Sequence, residues 1–195
     1  MKSIQNLGNN RNTMEQSLQI QSQQSSMLIN RQQLVVEKFP LLSKRKEPIS
    51  SLSESAKDTT SLILIDRECG EGFSLRWIKA QLLDLFRICG AGSIITDYQV
   101  VIIARRIRKI YFYLSLSDLT YFFESFISGV YGTLYVGKTI NPQNLMEALR
   151  KFDGERINYF TESQTEENNN GELDREVNQA VIAKICNKAK KIFTK

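Results

Sequence analysis

The chain has 195 residues, 42% of them hydrophobic, with 26 lysines and arginines against 21 acidic residues and no histidine. That length fits one domain of ordinary size plus tails, and a net charge of +5 permits polyanion binding without requiring it. Lacking histidine removes the commonest general base at neutral pH together with Ser-His and Cys-His nucleophile pairs, and three scattered cysteines without a CxxC pair argue against a disulfide framework or a zinc site.

The polar N-terminus lacks the apolar run of about 7–15 residues that marks a signal peptide. The longest apolar stretches fall far short of the roughly 20 residues that span a bilayer. A cytoplasmic protein with no membrane partner is expected.

Residues 1–60 are crowded with Gln, Asn and Ser. Such a composition buries too little apolar surface to offset the entropy of ordering, so a disordered tail is expected. Two small apolar clusters interrupt it, Met27-Leu-Ile29 and Leu34-Val-Val36 running to Phe39-Pro-Leu-Leu42. They read as unstructured linker or as a docking segment that orders on a partner.

The core is expected over 61–162. Ser61-Leu-Ile-Leu-Ile-Asp66 leans towards a lone strand or extended arm, and Gly70 and Gly72 mark a turn. Ser74 suits the N-cap of a helix from Leu75 to about Ile88, whose apolar residues recur at three and four. Thr96 caps the next helix, from Asp97 to about Tyr113, with Val100, Val101, Ala104, Ile107, Ile110 and Tyr111 facing inward. Its outer side carries Arg105, Arg106, Arg108 and Lys109, a basic ridge that is either a solvated face or a phosphate contact.

Ser115-Leu-Ser-Asp118 is a capping-box pattern with Asp in place of Glu. The helix it opens, Leu116 to about Ser128, should stop at Gly129. After a tyrosine- and glycine-rich turn, Asn141-Pro142 starts a last core helix to about Thr161. A polar linker over 163–172 leads to a terminal helix over 173–195. Lys184, Lys188, Lys190 and Lys191 lie in that helix's C-terminal half, where the helix dipole favours cations.

Gly132-Thr-Leu-Tyr-Val-Gly-Lys-Thr139 satisfies the Walker string literally. Its context does not fit, since a phenylalanine-rich helix precedes it and Asn141-Pro142 restarts the chain almost at once. Bulky Leu134, Tyr135 and Val136 suit a packed turn better than a phosphate cradle. Tyr111, Tyr113, Tyr121, Tyr131 and Tyr135, with Phe122, Phe123 and Trp77, could stack bases beside the ridge, but aromatics at helical spacing more often pack a core. No catalytic residue, cofactor or metal ligand is assigned.

Taken together, Thr96-Asp-Tyr-Gln, Ile103-Ala-Arg105, Tyr111-Phe-Tyr-Leu-Ser-Leu-Ser-Asp-Leu119, Phe122-Phe-Glu-Ser-Phe126, Gly129-Val-Tyr-Gly-Thr-Leu-Tyr135 and Phe152-Asp-Gly-Glu-Arg156 resemble a family of small Bacteroidetes proteins of unknown function. These are common in phages, plasmids and other mobile elements. The resemblance covers roughly Leu75 to Phe160 and departs from the usual form after the turn, where Tyr135-Val-Gly-Lys138 stands in place of Tyr-Gly and an acidic residue. The fold looks similar to the small helical domains of phage helicase loaders and replisome organisers.

The expected fold is therefore all-α: a small bundle of about four core helices, a disordered N-terminal tail and a basic C-terminal helix. The expected function is that of a non-enzymatic accessory protein in replication or maintenance of a mobile element, binding DNA or a replicative helicase. In that reading Arg105, Arg106, Arg108, Lys109, Lys184, Lys188, Lys190 and Lys191 meet phosphates, and Tyr131 and Tyr135 shape an exposed turn that meets a partner. The alternative is an adaptor or virion-associated protein that never touches nucleic acid and docks through Met27–Leu42 and the terminal helix.

Overall fold

The computed structural model describes residues 5–136 and 139–163. Two compact units divide the chain, Met1–Leu149 and Arg150–Lys195. The fold is all-α. The first unit contains α1 (Gln5–Lys38), a short 3-10 turn (Leu42–Lys44), α2 (Leu52–Ser55), α3 (Leu62–Cys69), α4 (Phe73–Ile88), α5 (Asp97–Ile110) and α6 (Leu116–Ile127). A two-residue antiparallel pairing of Tyr135–Val136 with Thr139–Ile140 follows, and residues 142–149 are helical. In the second unit residues 150–163 are helical, with Phe152 fully buried.

The core gathers around α4 and α6. Ile78, Leu82, Leu85 and Phe86 of α4 are buried with Leu116, Leu119, Phe122 and Phe123 of α6, and with Val100, Ala104 and Ile107 of α5. Helical spacing in the sequence picks out most of this set, but Ile110 and Ile127, expected on the buried faces, are exposed and Val101 is only partly covered, while Ile103 and Leu116 are buried in addition. Both α5 and α6 open on complete capping boxes. Thr96 accepts from the Gln99 N–H while Gln99 answers the Thr96 N–H, and Ser115 and Asp118 exchange the same pair of bonds. Gly129, at φ +81, ends the α6 region, and a Cβ there would meet nothing within 4 Å. Its requirement is conformational rather than steric.

Three expectations change. Ser61–Asp66 is not a strand but the cap and first turns of α3. The Leu62 and Ile63 N–H groups donate to the carbonyls of Leu114 (2.9 Å) and Phe112 (3.3 Å). The loop after α5 thus satisfies two of the four orphan donors of α3, and a run that reads as β in isolation is held helical by distant partners.

Ser74 is not the N-cap of α4. Gly72 takes that position, and Ser74 is buried at the second helical position, with its N–H and hydroxyl both donating to Asp66. The helix after Thr96 ends at Ile110, short of Tyr113, because residues 112–114 are committed to α3.

The folded unit also begins before residue 61. Phe39, Leu42 and Ile49 are buried. The Trp77 indole N–H donates to the Phe39 carbonyl at 3.0 Å, and the Gln81 amide donates to the Pro40 carbonyl at 2.9 Å. Ahead of that point the polar tail carries α1, whose residues 19–31 are exposed throughout, as a composition with few apolar side chains dictates. Only its last turns touch the core, where Gln32 donates to the Cys69 carbonyl at 2.6 Å.

Candidate nucleic-acid interface

The basic ridge stands on α5, whose buried face packs against α4. Its four cations divide into two kinds. Arg108 is only partly exposed and is tied inward. Its Nη2 lies 2.6 Å and its Nε 2.8 Å from Asp66 Oδ2, and Nε also lies 3.2 Å from the Ser74 hydroxyl. Arg105, Arg106 and Lys109 are exposed, and among the described residues none of the three joins an ion pair. The sequence placed all four in one class; the structure makes Arg108 a strut joining α5 to α3 and to the start of α4.

Beside the ridge lies an open cleft of about 450 Å³. Leu62 and Ile63 of α3, Leu75 of α4 and Phe112 of the loop after α5 supply its apolar lining, and Arg105, Lys109 and the paired Asp66 and Arg108 its charged lining. Phe112 is 50% exposed, and its ring meets Tyr113 edge to face at 5.6 Å between centroids. Sequence reasoning missed Phe112, Leu62 and Ile63 as site residues. No local signal carried them, since they converge only if residues 62–69 are helical.

The two turn tyrosines separate as well. Tyr131 is 8% exposed and packs on Phe122 at 5.8 Å between centroids, so it belongs to the core and does not present an exposed surface. Tyr135 is 39% exposed, and its hydroxyl donates to the Cys89 carbonyl at 3.1 Å, clipping the turn to the end of α4. Gly90 sits beneath it at φ +73, and a Cβ there would stand 3.5 Å from that hydroxyl. Of the other aromatics, Trp77, Phe122, Phe123 and Tyr111 are buried and Tyr113 is partly exposed. Lys184, Lys188, Lys190 and Lys191 lie outside the described residues.

Within the Walker-like string, Tyr135–Val136 and Thr139–Ile140 pair as strands and the next helical residue is 142. A phosphate loop requires a helix to start directly at its Lys-Thr. Gly137 and Lys138 lie outside the described residues.

The inward-facing carboxylates are occupied in capping backbone. Asp66 accepts from the Ser74 N–H, Asp84 from Ser43, Asp118 from Ser115 and Glu124 from Ile49, at 2.8–3.0 Å. Burial nonetheless holds Glu124 above the usual carboxylate range, with the Ile49 N–H and Arg45 working in the opposite direction. Arg45 Nε is 2.8 Å from Glu124 Oε1, yet its attraction offsets the desolvation only in part. Burial likewise raises the Cys69 and Cys89 thiols. This moves both away from the thiolate form that makes a cysteine reactive. Among the described residues no group of three His, Cys, Asp or Glu side chains could hold a metal ion, and no helix is long and apolar enough to cross a membrane.

Comparison with protein-family models, with curated proteins and with solved structures finds no match to this chain.

Proposed function

We propose that this chain is a non-enzymatic accessory protein of a bacterial mobile element or phage, acting in DNA replication or maintenance by binding DNA or a replicative helicase. The observation that carries the reading is the free part of the ridge. Arg105, Arg106 and Lys109 lie within five residues of one rigid helix, exposed and unpaired among the described residues. Cations that are not engaged with protein carboxylates remain available for phosphates. The resemblance of residues 75–160 to small mobile-element proteins supplies the setting.

The test is salt-dependent binding of the full chain to labelled DNA. Three phosphate contacts give a slope of about −2 to −3 in log affinity against log salt, a loss of roughly 20- to 40-fold between about 50 and 200 mM. Absence of binding at the lower salt would refute DNA contact and leave a helicase as the partner to assay.

A second reading, an adaptor that never meets nucleic acid, draws on α1. Met27, Ile29, Leu34 and Val36 are exposed there. In that case replacing Met27 and Leu34 with Ser abolishes capture of a partner protein and leaves the thermal midpoint unchanged.

A further inference from the structure

Three features stand outside the structural role of the ridge: the cleft beside it, the exposed apolar residues of α1, and the clip of Arg45 and Ile49 on Glu124. Nothing in the structure shows what covers the α1 residues, and the Glu124 clip is internal to the fold. The cleft combines two kinds of wall. Leu62, Ile63, Leu75 and the half-exposed Phe112 line it with apolar surface, and Arg105, Lys109 and the paired Asp66 and Arg108 line it with charge.

We infer that this cleft receives an unstacked base of a single-stranded nucleic acid, with the flanking phosphates on Arg105 and Lys109. The inference rests on the nucleic-acid reading above and narrows it to one form of ligand. A duplex presents phosphates but keeps its base faces stacked inside, so it could use the cations and leave the apolar wall wet. A single strand offers both surfaces at once, and stacking on an aromatic ring beside a basic track is how such strands are held without sequence preference.

Geometry favours the same occupant. Arg105 and Lys109 are one helical turn apart, about 6 Å along the axis, a separation that consecutive phosphates of an extended strand can match. Phe112 is also held in place. Its own carbonyl accepts from Ile63 and the carbonyl two residues on accepts from Leu62, so the loop that carries the ring is pinned to α3. Arg108 and Asp66, 2.6 Å apart, keep the third cation of the cleft neutralised. The charge left free in the cleft is therefore that of Arg105 and Lys109, beside the apolar surface of Ile63, Leu75 and Phe112.

The experiment measures anisotropy of the full chain with a labelled oligothymidine and with a duplex of equal length, at about 50 mM salt. It uses wild type, Phe112→Ala, Phe112→Trp and Arg105→Ala/Arg106→Ala. The expected result is preference for the single strand, a loss of roughly tenfold in Phe112→Ala and retention in Phe112→Trp. Equal affinity for both DNAs with no effect of Phe112→Ala, but loss in the arginine variant, would overturn the inference and keep the DNA reading. No binding of either DNA would overturn both. Phe112-dependent capture of an acidic amphipathic peptide without affinity for oligothymidine would assign the cleft to a protein partner and overturn the inference as well. Thermal melts of each variant accompany the titrations. If Phe112→Ala does not fold, a drop in affinity in Phe112→Leu that Phe112→Trp does not share decides the question.

Discussion

Asp66 and Arg108, 42 positions apart in sequence, meet through two short contacts on a single carboxylate oxygen, and the other oxygen of Asp66 accepts the Ser74 N–H. One side chain of α3 thereby caps α4 and anchors α5. The pair decides which cations of the ridge are free. It also fixes the apolar lining of the cleft, because Leu62 and Ile63 precede Asp66 on the same short helix.

Asp66→Ala is accordingly expected to cost about 1–3 kcal/mol, since it strands a backbone N–H, a hydroxyl and a guanidinium together. The thermal midpoint should fall by roughly 5 °C or more. Urea denaturation checks it; a change within about 0.5 kcal/mol would mean that water replaces the carboxylate without penalty.

Glu124 sets a pH dependence of unusual sign for an ion-paired carboxylate. Its folded pKa is raised, chiefly by burial. The stability it contributes is therefore fully present below the unfolded value and is lost as pH rises through the folded one. Glu124→Gln keeps an acceptor for the Ile49 N–H and removes the charge. The difference in unfolding free energy, wild type minus variant, should fall as pH rises above the ordinary carboxylate range. A difference that grows with pH would show that Arg45 outweighs the desolvation.

The two turn tyrosines should respond differently. Tyr131→Ala empties a core position against Phe122 and is expected to cost about 3 kcal/mol or more. Tyr135→Phe removes one partly exposed hydrogen bond to Cys89 and should cost under about 1 kcal/mol. Chemical denaturation of both variants measures the contrast, and equal losses would contradict the placement of Tyr131 in the core.

What the sequence made legible is whatever local chemistry decides. Thr96 and Ser115 sit where caps are expected, Gly129 and Pro142 stop and start helices, and the apolar spacing of 75–88, 97–110 and 116–127 marks the buried faces. What it hid depends on distant partners. Leu62–Cys69 is helical because carbonyls 52 and 49 residues away receive its first two N–H groups. Phe39 and Pro40 join the core because Trp77 and Gln81 hold their carbonyls. The candidate site was half legible for the same reason. The ridge is a run of four neighbours in sequence, whereas its division into free and engaged cations turns on Asp66, and the cleft needs three separate segments to converge.

The most direct test of the account compares Arg105→Ala/Arg106→Ala with Arg108→Ala, reading DNA affinity and thermal midpoint side by side. The account predicts that the double variant loses affinity and flattens the salt slope from about −2 to −3 to about −1 with little change in midpoint. It predicts that Arg108→Ala lowers the midpoint and leaves the slope nearly intact. A double variant that binds DNA as wild type does, with the same salt dependence, would contradict it and leave the ridge a solvated face.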